Sequence, residues 1–562
     1  MFARPLPLFL AALLLAVAPP LAAGELRLQA PDDIDELLAP YLPEEAGNPL
    51  RLQATLSEIL ATEGYFSPNF EFKDSDNGLQ LNLDPGPRTL IKNVALSLDG
   101  PLAASTREEL QRDWRLPVGQ PFRQEDWNEA KQQVLARLLA VEHADARLVD
   151  SEATIDVETH SARLSAHYDT GPRYRFGPLR VEGLQRHEPS LVDRYNRVVA
   201  VGQPYREESL NALRSTLQAT PYFASVQTLL DREAAELNSD GTSTVPVVVR
   251  VRERAPHRVA FGAGASSNTG ARVELNYHSS DLLGQAWELN SGLRLEQKKQ
   301  TAYTDIFLPP DERFRRNSVG AMVETTDIAG LKTERYAFGA QTVQQRGSVE
   351  QRLSLNWQNE LREPDGALPE TSRALVPNAM WTWRRVDNLL DPRRGTVLQM
   401  QIGGGARAAL SDKDFVRLHG RIQHYIPLGQ HNTLTLRGEI GTTLADSRRH
   451  IPQDYLFRTG GASSVRGYAY QSLGVKEGAA TVGGRYLGIA SAEITHWLDE
   501  DWGIAAFIDA GDAFDSRQDV RLAVGYGLGA RWRSPAGPIG VDLAYGERVR
   551  GFQLHFALAI PF

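Results

Sequence analysis

The chain runs to 562 residues, with a formal net charge of −9 and no cysteine. That length calls for several domains, and the mild charge, without any clustered Lys/Arg tract, leaves no footprint for nucleic acid. A disulfide framework is ruled out, which suits a periplasmic or outer-membrane protein and a cytosolic one equally.

The first 23 residues read as a secretory signal peptide. Arg4 gives the positive start, residues 8–18 form a short apolar core, and Ala22 and Ala23 precede a cleavage point near Gly24-Glu25. Beyond them no apolar run approaches the ~20 residues that a spanning helix needs. A mature chain that crosses a membrane would therefore do so as a closed β-barrel, which satisfies every backbone group in lipid.

Residues 25–255 carry an internal repeat. Val118-Gly119-Gln120-Pro121-Phe122 returns as Val201-Gly202-Gln203-Pro204-Tyr205, and Gly86-Pro87-Arg88 returns as Gly171-Pro172-Arg173. Each Gly-Pro-Arg leads into an alternating strand that closes on glycine, Gly100 or Gly183. Helical apolar spacing follows each Val-Gly-Gln-Pro phrase, at Val134, Leu135, Leu138 and Leu139 and then at Leu210, Leu213 and Leu217. A third copy lies upstream, with Leu52, Leu56, Ile59 and Leu60 ahead of Gly64-Tyr65-Phe66, a phrase echoed by Tyr222-Phe223. The middle copy departs from the pattern, because His143-Ala144-Asp145 stands at the glycine-aromatic step. The order strand, helix, helix, strand, strand describes three small α+β modules, expected at 25–86, 87–170 and 171–255. Free strand edges on such modules can accept an extended segment of a partner.

From residue 256 to 562 the pattern changes to short period-two segments. Val273, Leu275 and Tyr277 oppose Arg272, Glu274, Asn276 and His278. Leu522, Val524, Tyr526, Leu528, Ala530 and Trp532 oppose Ala523, Gly525, Gly527, Gly529, Arg531 and Arg533. Aromatic residues near the stripe ends (Trp287, Trp532, Phe562) and a glycine or mixed-charge opposite face favour apolar side chains toward lipid and polar ones toward a lumen. This length fits an antiparallel barrel of about 16 strands.

One stretch interrupts the alternation: Gly460-Gly461-Ala462-Ser463-Ser464-Val465-Arg466-Gly467-Tyr468. Its glycines permit turns that a β-carbon forbids, and Arg466 offers a planar cation suited to a bidentate grip on a carboxylate. Glu493 and Asp509 lie in two strand-like runs downstream, the second reading Phe507-Ile508-Asp509-Ala510-Gly511. Both acids can point into a lumen and meet the arginine, as a latch rather than an acid/base pair.

Val465-Arg466-Gly467-Tyr468 and Phe507-x-Asp509-x-Gly511, in that order, resemble the inward-loop and strand signatures of the Omp85 family of outer-membrane assembly barrels. The repeated module resembles that family's periplasmic POTRA domain. His555-x-Ala557-x-x-Ile560-x-Phe562 is similar to the C-terminal signal of outer-membrane barrels, with alanine where glycine is usual. Within the family, three modules and the phrase Tyr174-Arg175-Phe176-Gly177 look most like the TamA branch, the outer-membrane subunit of the translocation and assembly module. The resemblance implies insertion or translocation of unfolded outer-membrane protein or autotransporter clients into the lipid bilayer. It also implies a TamB-like, inner-membrane-anchored partner that spans the periplasm. A weak seam is expected between the first strand, which holds Gly262 and Gly264, and the last, which runs His555-Phe556-Ala557-Leu558-Ala559-Ile560-Pro561-Phe562. The rival reading is a passive porin-like or two-partner-secretion-type export channel. The sequence has no Gly-x-Ser-x-Gly, phosphate-cradling or His-Glu-x-x-His motif, so no enzymatic activity, cofactor or metal is expected.

Overall fold

A computed structural model describes residues 25–43, 48–75, 78–534 and 537–558. The expected signal peptide and Ile560, Pro561 and Phe562 of the expected C-terminal signal lie outside the described residues. The chain forms two compact units. One extends to Leu179 and includes Val198–Ala212 and Leu229–Val248; the other holds Arg180–Arg197, Leu213–Thr228 and the chain from Val249 onward.

The first module runs β1 (Glu25–Gln29), α1 (Asp32–Leu38), α2 (Pro49–Thr62), β2 (Asn69–Ser75) and β3 (Gly78–Asp84). α2 starts where sequence chemistry says it should: the Asn48 side chain accepts the Leu50 N–H, Pro49 fills the first turn, and Leu52, Leu56 and Leu60 bury one face. The second module repeats the order as β4 (Leu90–Asp99), α3 (Ala104–Arg112), α4 (Gln124–Ala140), β5 (Arg147–Asp156) and β6 (Ser161–Asp169). Trp127, Ala130, Val134 and Leu138 of α4 pack on Ile91, Leu98, Leu164 and Tyr168. The third comprises β7 (Arg173–Glu182), α5 (Ser190–Tyr195), α6 (Glu207–Gln218), β8 (Phe223–Leu230), the two-residue β9 (Glu236–Leu237) and β10 (Thr242–Glu253). Sheet order is the same each time: β1–β3–β2, β4–β6–β5 and β7–β10–β8. In the first two modules the outer first strand runs parallel to the central one and the other runs antiparallel.

The repeated phrases face each other. Ile91 N–H donates to Gln120 O (2.8 Å) and Gly119 N–H to Ile91 O (2.8 Å); Phe176 N–H donates to Gln203 O (2.8 Å) and Gly202 N–H to Phe176 O (2.7 Å). The same segments hold the preceding module. Thr89 N–H donates to Gly64 O (2.9 Å) and Tyr174 N–H to Glu142 O (2.7 Å). Arg123 pairs with Glu63 at 2.7 Å, and Arg173 pairs with Glu142 through both nitrogens of its fork, Nη2 at 2.9 Å. Gly64 has a φ of +94°, and a methyl there would stand 2.1 Å from Phe122 O. In the middle module Glu142 takes the left-handed turn (φ 62°) without glycine, which accounts for the irregular phrase that follows it. Its neighbour His143 is buried and donates Nδ1–H to Thr170 O at 3.2 Å; burial pushes its pKa down.

Beyond the modules come the strands β11 (His257–Ser266), β12 (Gly270–Leu282), β13 (Trp287–Glu296), β14 (Lys299–Phe307), β15 (Arg316–Ile328) and β16 (Leu331–Arg346). β17 (Val349–Pro364), β18 (Glu370–Val386), β19 (Gly395–Gly405), β20 (Phe415–Leu428) and β21 (Asn432–Leu444) follow. A long loop then carries the short hairpin β22 (Val475–Glu477) and β23 (Ala480–Val482) before β24 (Tyr486–Trp497), β25 (Trp502–Phe514), β26 (Ala523–Ser534), β27 (Gly537–Gly546) and β28 (Gly551–Leu558). Leaving out the hairpin, these make one 16-stranded sheet in sequence order, a nearly closed antiparallel barrel.

The barrel is inverted relative to a soluble domain. Phe261, Ile440 and Leu528 are 83%, 70% and 68% exposed, whereas Glu324, Arg335, Glu360 and Arg362 are buried inside. Apolar exposure on that scale along a continuous ladder of strands is a lipid face. Trp502 and Trp532 stack at 5.5 Å near the strand ends opposite the long loop, as an interfacial girdle requires. Among the described residues no helix is long and apolar enough to cross a membrane.

β11 pairs with β12 over its whole length, Gly262 opposite Glu274 and Gly264 opposite Arg272. The glycines make room there: methyls would meet Glu274 Cγ at 2.8 Å and Arg272 Nε at 2.9 Å. The other edge of β11 differs. Among the described residues no ladder joins it to β28, and the sheet ends on these two strands. Ser267, in the turn after β11, bridges them by accepting the Phe556 N–H (3.3 Å) and donating to the Phe556 carbonyl (3.4 Å).

Candidate functional site

The loop between β21 and β24 folds into the lumen, and its backbone explains its glycines. Gly460, Gly461 and Gly467 have φ of 103°, 106° and 87°, a region costly for any residue with a β-carbon. Gly460 N–H donates to Ser464 Oγ at 3.0 Å. The Arg437 guanidinium on β21 donates to the carbonyls of Ser463 (2.7 Å) and Ser464. Val465 is buried with Phe457, Tyr468, Leu473, Leu487 and Ile489.

Those contacts aim Arg466 at the wall. Its Nε donates to Asp509 Oδ2 (2.7 Å), Nη2 to Asp509 Oδ1 (3.0 Å) and its own backbone N–H to Oδ2 (3.0 Å). Nη1 donates to Glu493 Oε2 (2.6 Å) and Asp542 Oδ2 (3.1 Å). The guanidinium carbon also lies 3.4 Å from the Phe507 ring centre, a stacked cation–π contact. Arg466 and Asp509 are 5% and 0% exposed. Burial on that scale is tolerable only for paired, hydrogen-bonded charge.

The cluster extends further. Arg531 on β26 donates to both oxygens of Glu493 (3.0 and 2.7 Å) and to Asp542 Oδ1 (2.6 Å), and Ser491 Oγ donates to Asp509 (2.6 Å). Two guanidiniums and three carboxylates are thus interlocked, with Arg437 3.9 Å from Asp509 adding a third cation. The loop backbone lies flush on the last strands: a methyl on Gly525 would stand 1.8 Å from Arg466 O, and one on Gly546 would stand 2.2 Å from Gly467 O. Gly511 receives Val465, whose Cγ2 would be 3.0 Å from an added methyl. Tyr468 OH donates to Val524 O (2.9 Å) and accepts the Arg548 N–H (3.0 Å).

Thus Gly460, Gly461, Val465, Arg466, Gly467 and Tyr468 meet Glu493, Phe507, Asp509 and Gly511 in one place. Gly262 and Gly264 sit apart on β11 beside Glu274 and Arg272. Of the C-terminal residues, Phe556 is half-buried at the seam, Leu558 ends β28, and His555 faces inward and accepts the Gly467 N–H at Nε2 (2.9 Å). Sequence reasoning missed Asp542, Arg531, Ser491 and Arg437 as members, and missed His555 as a loop partner. The period-two pattern put Arg531 on the lumenal face, but only the register, which sets Asp542 opposite His555, brings the last strands under the loop.

Residues 255–560 match the Omp85 superfamily domain. The chain belongs to the Omp85 superfamily. The outer membrane protein assembly factor BamA of Nitratidesulfovibrio vulgaris is 23% identical over 395 residues, 65% of this chain and 47% of that protein. BamA of Neisseria meningitidis serogroup B is 21% identical over 471 residues, 75% of this chain and 56% of that protein. The chain thus spans about half the length of the BamA relatives it matches. BamA from Haemophilus ducreyi lacking POTRA domains 1–3 has the same fold, with a TM-score of 0.69 at 17% identity over 83% of this chain and 98% of that one. As an Omp85 barrel the chain is an outer-membrane protein, and its POTRA-like modules stand on the periplasmic side. Among the described residues no group of three or more His, Asp or Glu side chains could hold a metal ion.

Proposed function

We propose that this Omp85 protein is the outer-membrane subunit of a translocation and assembly module of the TamA type. It inserts or translocates outer-membrane proteins such as autotransporters, and its POTRA-like edges dock a TamB-like, periplasm-spanning partner. The observation that carries the reading is the seam: sixteen strands in sequence order whose two end strands share no ladder among the described residues. An unpaired strand edge facing lipid is costly to leave open, and a client strand can satisfy it by main-chain pairing. The lumenal loop supports the same reading, because a latched obstruction suits an assembly barrel better than a permanently open pore. The three consecutive modules ahead of the barrel support the finer assignment.

The test uses the purified protein in lipid vesicles with an unfolded outer-membrane barrel as client. Appearance of folded, heat-modifiable client well above that in empty vesicles is the expected result. A steady, wide ion conductance with no acceleration of client folding would favour a passive channel instead.

A further inference from the structure

The loop that carries Arg466 touches both sides of the seam. On the last strand, Nε2 of His555 accepts the Gly467 N–H at 2.9 Å, and this side chain is only 2% exposed. A ring nitrogen that accepts a backbone N–H carries no proton, so the imidazole is neutral with its proton on Nδ1. On the first hairpin, Asn268 lies in the turn between β11 and β12. Its Oδ1 is a long 3.5 Å from the Ala462 nitrogen, and a methyl on Gly461 would stand 3.1 Å from that oxygen.

We propose that the loop is a staple across the seam, with His555 its anchor on the last strand and Asn268 its anchor on the first hairpin. This rests on the reading that the seam opens during assembly, and it names the contacts that control the opening. Arg466 and Tyr468 fasten the loop to β24, β25, β26 and β27, but those strands are already laddered to one another. β28 is different, because among the described residues it is laddered on one edge only. An inward bond from β28 to a loop that is itself fixed by a buried charge cluster therefore holds the strand whose departure opens the barrel. The Asn268 contact is longer and its share smaller. Arg466 keeps the staple rigid, and His555 closes it.

The chain has no cysteine, so Ser267→Cys with Phe556→Cys introduces the only two thiols, one on each side of the seam. Spin labels on this pair, in protein held in lipid nanodiscs, report the fraction of molecules with a separated seam. His555→Ala should raise that fraction roughly five- to tenfold, the equilibrium shift carried by one neutral buried hydrogen bond. His555→Gln places an acceptor oxygen where Nε2 stood and should return the distribution toward the parent; His555→Asn is too short and should not. That pattern of rescue sets a bond to Gly467 apart from loss of packing. Asn268→Ala, outside the charge cluster, should move the distribution the same way by less, and it carries the test if His555→Ala does not fold. Unchanged distributions in folded His555→Ala and Asn268→Ala proteins overturn the staple. Joining the two thiols with a short cross-linker tests the opening itself. Undiminished client assembly by cross-linked protein would sink lateral opening and leave the staple standing, whereas blocked assembly with unmoved distributions would do the reverse.

Discussion

Replacing Arg466 by alanine is the sharpest perturbation of the latch. The change removes two charge-assisted bonds from Asp509, at 2.7 and 3.0 Å, and one each from Glu493 and Asp542. Arg531 still faces Glu493 and Asp542, so those two acids keep a cation. Among the described residues Asp509 keeps Ser491 Oγ and the residue-466 backbone N–H at hydrogen-bond distance, and Arg437 at 3.9 Å as a more distant cation, at 0% exposure. Breaking a buried pair so that one charge loses its partner costs roughly 3–5 kcal/mol, and the surviving Arg531 pairs, with Arg437 3.9 Å from Asp509, put the expectation near the low end, about 3 kcal/mol. At about 1.4 kcal/mol per decade that is roughly a hundredfold in the folding equilibrium. Denaturant unfolding in detergent, with the heat-modifiable gel shift as the probe of folded barrel, measures it. Arg466→Lys keeps the charge but not the two-pronged grip and should lie between alanine and the parent. The decisive comparison is the double variant Arg466→Ala/Asp509→Asn, which removes the Asp509 charge as well. It should be more stable than the two single effects added together. An Arg466→Ala barrel within about 0.5 kcal/mol of the parent, or strict additivity in the double variant, would refute the idea that pairing with Asp509 holds the loop.

Gly525→Ala puts a methyl 1.8 Å from Arg466 O and should lift the loop, making residues 460–468 cleavable by added protease; Gly488→Ala, with nothing within 4 Å, is the silent control. Glu253, at the end of the third module, has a pH signature. Burial opposes its charge, but the N–H groups of His187, Arg186 and Gln185 and the Arg186 side chain hold its pKa down to about 2, against 4.5 for the free group. The unfolded chain therefore takes up the proton first. The stabilisation, about 3 kcal/mol by linkage, is complete above pH ~5.5 and is lost as pH falls from there toward ~2. Glu253→Gln should flatten that part of the stability–pH curve, and an unchanged slope contradicts the assignment. At the joint between the second and third modules, Arg173→Ala loses a partly buried pair with Glu142 worth about 1 kcal/mol. Hydrogen exchange at the Tyr174 amide, which donates to Glu142 O, should quicken roughly fivefold.

What could be read in the sequence is what period and local chemistry carry. Stripes such as Leu522 to Trp532 gave the barrel and its inverted faces, and Leu52, Leu56 and Leu60 gave a helix with one buried side. The paired phrases at Gly86 and Val118 marked a module in which the strand that follows Gly86 bridges to the Val118 phrase. The misses are contacts that depend on closure. Nothing local in the β27 sequence marks Asp542 as an Arg466 partner; the marking comes from a register that stacks β26, β27 and β28 under an inward loop. Glu142 carries no glycine to mark the repeat, because the backbone there asks only for a positive φ. Gly262 and Gly264 read as weakeners of strand order, yet their β12 side is fully paired and they clear space for Glu274 and Arg272. The edge without a ladder among the described residues is their strand's other side, which composition alone does not distinguish.

The proposed function requires a barrel that works by opening where β11 and β28 meet. The direct measurement is client folding in vesicles by the Ser267→Cys/Phe556→Cys protein, before and after a short reducible cross-linker joins the two thiols. Assembly should stop on cross-linking and return when the linker is reduced. Client folding at the same rate in the cross-linked and reduced states would contradict it.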